Sequence, residues 1–107
     1  MRAYERLIAY TAYDTASDET KSSCPSSEKQ LVFARALVQE MLQMGIDDAR
    51  VDQYGYVYGT IPETVQGAPV LGYIAHMDVV DDVPSAPIRA RVIENYDGGD
   101  ILLNAQK

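Results

Sequence analysis

The feature that most constrains this chain is a run that is nearly continuous in apolar character, Pro69-Val70-Leu71-Gly72-Tyr73-Ile74-Ala75, which ends directly on His76. A strand with one solvated face alternates apolar and polar residues. A run without that alternation is the pattern of a strand buried on both faces in a parallel or mixed sheet. Such a strand needs cover above and below. The other elements legible in the sequence are two helices and one hairpin, which barely supply it, so the pattern reads as part of a larger sheet.

The length, 107 residues, allows one core and one domain with no internal boundary, since at that size roughly two-thirds of the unfolded surface can be buried. Hydrophobic residues make up 47% and charged residues 23%, which excludes a disordered or collagen-like chain. Nine lysines and arginines against 16 aspartates and glutamates leave a net charge of −7, so nucleic acid is excluded as a partner of the whole surface. No apolar run approaches the ~20 residues of a membrane span, and nothing at Met1 resembles a signal peptide. A soluble, cytoplasmic protein without a membrane partner is therefore expected. The single cysteine, Cys24, has no partner for an internal disulfide, which agrees with a reducing compartment, and nothing beside it in sequence would activate the thiol.

Along the chain, Tyr4, Leu7, Ile8 and Thr11 fall on one side of a first amphipathic helix of about ten residues. The polar stretch 14–27 reads as a surface loop. Ser27 followed by Gln30 has capping-box spacing, and Leu31, Ala34, Leu37, Val38, Met41 and Leu42 recur at steps of three and four up to the stop at Gly45. These signals predict a second helix over 27–44. Tyr54, Tyr56 and Tyr58 alternate within 51–61, predicting a strand pair bent at residues 52–55, with the tyrosines as an ordinary surface row. Beyond His76, Asp81, Asp82, Pro84 and Pro87 take the chain out of the sheet. Short strands at 89–94 and 101–103 are expected to form a hairpin through Gly98 and Gly99.

The only histidine thus sits where the predicted buried strand meets a loop, the end of an α/β sheet at which ligands gather. With strand geometry carried two residues further, His76 and Asp78 share a face with Cα atoms about 6.6 Å apart. An imidazole nitrogen can bind a metal while a carboxylate fixes the ring. Asp81, Asp82, Asp97 and Asp100 read as turn and loop residues.

Several short stretches carry a more specific message together: Asp14-Thr15-Ala16-Ser17, Pro25-Ser26-Ser27-Glu28-Lys29-Gln30, Met44-Gly45-Ile46, Gly55-Tyr56-Val57-Tyr58, Gly72-Tyr73-Ile74-Ala75-His76-Met77-Asp78 and Glu94-Asn95-Tyr96-Asp97-Gly98-Gly99-Asp100-Ile101. In this order they resemble the amino-terminal part of the peptidase T family of tripeptide aminopeptidases. These lie within the wider zinc-peptidase family that also holds acetylornithine and succinyl-diaminopimelate deacylases. The resemblance covers essentially the whole chain. It implies an α/β chain forming the first part of a catalytic domain, with two helices packed on a mixed sheet. It further implies His76 as a zinc ligand and Asp78 in a catalytic, ligand-orienting role. The complete site would hold two zinc ions and act on short peptides, with a glutamate shuttling the proton. The other ligands, that glutamate and a lid-like dimerisation domain come later in the family's sequence. These 107 residues alone are therefore expected to be inactive.

Two departures bear on substrate. Val79-Val80 follow the motif aspartate where the peptidases usually carry threonine, closer to the deacylases, and Ile88-Arg89-Ala90-Arg91 stands where a Lys-Pro-Gln-like stretch is usual. An N-acyl amino acid deacylase of the same family is accordingly one alternative. A non-enzymatic binding or assembly module that retains the first half of the fold, with a sheet edge open to strand addition, is another.

Overall fold

The computed structural model describes residues 1–86 and 88–103; the turn expected at Pro87 and the terminal Lys107 lie outside the described residues. Its elements are α1 (Ala3–Tyr10), α2 (Glu28–Gln43), β1 (Arg50–Val51) and β2 (Val57–Tyr58), an α/β arrangement of two helices and a small antiparallel sheet.

The organising element is α2. Its signals are local, and its C-terminus closes as the sequence predicts. Gly45 takes φ +86°, its N–H donates to the Leu42 carbonyl, and the Ile46 N–H donates back to Met41, both at 3.0 Å. This pair of bonds satisfies carbonyls that the helix end would otherwise leave bare. The N-terminus departs from expectation. Ser27 is the N-cap residue but makes no side-chain cap bond, and the Gln30 side chain turns to the loop after α1 instead of closing a capping box. A long-range partner has displaced the local one.

Ring packing decides which face of α2 is buried. Phe33 stands edge-on to Tyr10, with centroids 5.2 Å apart, and tilted against Tyr13 at 4.9 Å. Phe33 and Ala34 are the buried apolar residues, whereas Leu42, part of the predicted stripe, is 39% exposed. The face of α1 differs as well. Arg6 and Tyr10, four residues apart, meet α2 at Glu40, and Leu7 points to solvent. Tyr10 donates its hydroxyl to the Glu40 carboxylate; partial burial together with that bond raises the phenol to about 12.

The strand pair forms where predicted, with Arg50 opposite Tyr58 and Val51 opposite Val57. Asp52 builds the bend, because its Oδ1 accepts the N–H groups of both Tyr54 and Tyr56 at 2.9 Å. Gly55 sits in the bend at φ +87° with Leu31 and Pro25 close by, which seats the hairpin on the first turns of α2. Tyr54, Tyr56 and Tyr58 form an exposed row, as expected.

The stretch 69–75 corrects the sequence reading. It carries no strand, and Val70, Tyr73 and Ile74 are almost wholly exposed. Strand geometry is held by a neighbour's backbone groups, and among the described residues no segment pairs with this one. The hairpin expected over 89–103 is likewise a turn without a ladder. Asn95 and Gly98 take positive φ and Arg91 reaches the Leu102 carbonyl at 2.5 Å, but the flanking residues do not pair as strands. The radius of gyration reflects this openness: 17.5 Å, against about 13 Å for a compact chain of similar length.

Candidate active site

The site is assembled where the loop after α1 meets the segment that follows the apolar run. Asp14 fixes the loop. Its carboxylate takes Lys29 Nζ of α2 at 2.5 Å, the Ser85 hydroxyl at 2.7 Å and the Ala16 N–H at 3.3 Å. Lys29, then Ser85, holds the Asp14 carboxyl down at about 2. With Asp14 anchored, residues 15–17 lie extended and present their backbone to residue 79. The Ser17 N–H donates to the Val79 carbonyl at 3.0 Å and the Val79 N–H to the Thr15 carbonyl at 3.3 Å, a parallel bridge centred on Ala16 and Val79. Val79 therefore serves the site through its backbone, which a different side chain at that position could supply equally.

The bridge delivers Asp78 to Ser17, whose hydroxyl donates to Asp78 Oδ2 at 2.9 Å. That bond, followed by the contact with His76, holds the Asp78 carboxyl below the usual carboxylate range. His76 Nδ1 lies 2.9 Å from the Asp78 carbonyl and 3.2 Å from Asp78 Oδ1. Both are acceptors, so Nδ1 must carry the proton. In the neutral ring the lone pair is then on Nε2, and the imidazole itself is 84% exposed.

With the proton on Nδ1, the ring would be free to ligate a metal through Nε2. One nitrogen does not make a zinc site, which takes three or four protein donors. Among the described residues no group of three His, Cys, Asp or Glu side chains converges to hold a metal. His76 and its carboxylate thus fit the role of one ligand and its orienting partner. Asp97 acts as the expected turn residue, accepting the Gly99 N–H at 3.0 Å. Cys24 is an exposed thiol directed at the Tyr54 carbonyl.

The two residues singled out in sequence, His76 and Asp78, are brought together. Their supports were missed: Ser17, Gln30 and the Asp14–Lys29 pair. All four lie in stretches 14–17 and 25–30, which contributed to the family resemblance, so position in those stretches was the only available signal.

No family model matches the chain. It is 48% identical over 103 residues to peptidase T of Desulfitobacterium hafniense, covering 95% of this chain and 25% of that protein. Peptidase T of Aeromonas hydrophila is 50% identical over 99 residues, 92% of this chain and 24% of that protein. For peptidase T of Halothermothrix orenii the figures are 41% over 107 residues, 99% and 26%. The chain resembles peptidase T. It spans about a quarter of the length of these relatives. The peptidase T-like stretch includes both the His76–Asp78 pair and the loop that carries it. Among the described residues no helix is long and apolar enough to cross a membrane.

Proposed function

We propose that this sequence forms part of the catalytic domain of a cytoplasmic, zinc-dependent tripeptide aminopeptidase, in which His76 is a zinc ligand and Asp78 orients it. The observation that carries the reading is the placement of His76 Nδ1 within hydrogen-bond distance of two Asp78 oxygens, which leaves Nε2 as the nitrogen available to a metal in a peptidase T-like sequence. His76 Nε2 would hold the metal. Asp78 keeps the ring proton on Nδ1 and, as an anion, raises the basicity of the ligating nitrogen. Zinc in such a site polarises a peptide carbonyl and acidifies water at neutral pH. The exposed, unpaired Cys24 suits a reducing compartment. With one ligand in place, the 107 residues by themselves are not expected to turn over substrate.

A chimera tests this: residues 1–103 replace the matching quarter of the Desulfitobacterium hafniense peptidase T. Zinc-dependent release of the amino-terminal residue from tripeptides is the expected result. Turnover of N-acyl amino acids in place of tripeptides would overturn the aminopeptidase reading in favour of a deacylase.

A further inference from the structure

We propose that Ser17 and Gln30 are positioning residues that hold Asp78, and through it the His76 ring, in the metal-binding orientation; this rests on the reading of His76 as a ligand. The geometry is a directed chain of hydrogen bonds. Gln30 Nε2, on the first turn of α2, donates to Ser17 Oγ at 3.3 Å and to the Thr15 carbonyl at 3.4 Å. Ser17 Oγ donates to Asp78 Oδ2 at 2.9 Å, and the other carboxylate oxygen faces His76 Nδ1 at 3.2 Å.

Burial sets the two ends apart. Gln30 is only 7% exposed and Thr15 is buried beside it, whereas the imidazole is open to solvent. A buried side chain on α2 therefore anchors a ring that is itself open to solvent, the order that precise placement of a metal-binding group demands.

Donor chemistry explains the residue types. By donating into a lone pair of Ser17 Oγ, the Gln30 amide leaves the serine proton to point at Asp78. A carboxylate at position 30 has no proton for Ser17 or Thr15, and would instead draw the serine proton to itself. The capping box left unmade at Ser27 shows the same commitment, since the Gln30 side chain is engaged with the loop.

The test uses the lone histidine as its own reporter. In the 107-residue chain labelled with 15N in the imidazole, the Nδ1 and Nε2 shifts of the neutral ring report which nitrogen holds the proton. The wild type should be mainly Nδ1–H. Ser17→Ala and Gln30→Glu should each lower the ratio of Nδ1–H to Nε2–H by about fivefold, the effect of one ordinary hydrogen bond. Ser17→Thr, which keeps the hydroxyl, should retain the wild-type ratio. An unchanged ratio in Ser17→Ala overturns the proposal, and because Ser17 lies outside both helices that variant leaves the α2 packing in place if Gln30→Glu unfolds. The ligand reading is judged separately, by the zinc content of the chimera, so the two can fail independently.

Discussion

Truncating Phe33 to alanine should remove most of what holds the helical half together. The ring is 7% exposed and packs on two others, Tyr10 and Tyr13, at 5.2 and 4.9 Å. Burying a side chain of this size contributes about 1.5–3 kcal/mol, and each aromatic pair about 0.5–1.5 kcal/mol more. The sum, about 2.5–6 kcal/mol, brackets the range of about 3–5 kcal/mol found for Phe→Ala in packed cores. Leu42→Ala supplies the contrast. Leu42 belongs to the apolar stripe legible in the sequence yet is 39% exposed, so its loss should cost only about 1–2 kcal/mol. Urea unfolding followed by helical circular dichroism on both variants measures the difference, with a much lower midpoint expected for Phe33→Ala alone. A Leu42→Ala variant destabilised as much as Phe33→Ala would refute the packing described for α2.

Other consequences can be checked in the same chain. A Cβ on Gly59 would collide with the Met41 methyl and come within 2.8 Å of Ile46 Cγ2. The methionine end can swing aside and the branched isoleucine cannot, so Gly59→Ala should cost about 1–2 kcal/mol in the same urea assay; an unchanged midpoint would contradict the seating of β2 on α2. Acid should loosen the site loop through Asp14, whose carboxyl is lowered from 3.8 to about 2 in the fold. A depressed carboxyl stabilises the fold fully above its unfolded value, and that contribution disappears as pH falls through the folded one. Protection of the Ala16 amide from hydrogen exchange should therefore hold above about pH 4 and decline toward pH 2. Decline centred on the ordinary carboxylate value would show that the Lys29 and Ser85 contacts do not operate.

What was legible in the sequence is what short stretches encode alone. The stop at Gly45 and the bend at Asp52 and Gly55 each need only neighbours within a few residues, and both form as read. His76 and Asp78 were legible as a pair because a single residue separates them. Their support was not, because Ser17 and Asp78 are 61 positions apart and no periodicity joins them. Gln30 was misread as a cap because local spacing cannot reveal that a distant carbonyl and hydroxyl compete for its amide. The failure at 69–75 is of another kind. Apolar content shows that a segment tolerates burial, whereas a strand also requires a partner backbone, which the segment does not find among the described residues. Phe33 was overlooked for a related reason: the rings of Tyr10 and Tyr13, not the spacing along α2, select the buried face.

The role of His76 is tested most directly by metal content. The peptidase T chimera would be prepared with His76→Ala and, as a surface control, with Tyr56→Ala, and zinc per chain measured by mass spectrometry alongside tripeptide turnover. The account predicts that His76→Ala loses zinc and turnover together, while Tyr56→Ala keeps both. A His76→Ala chimera with its full complement of zinc would contradict it.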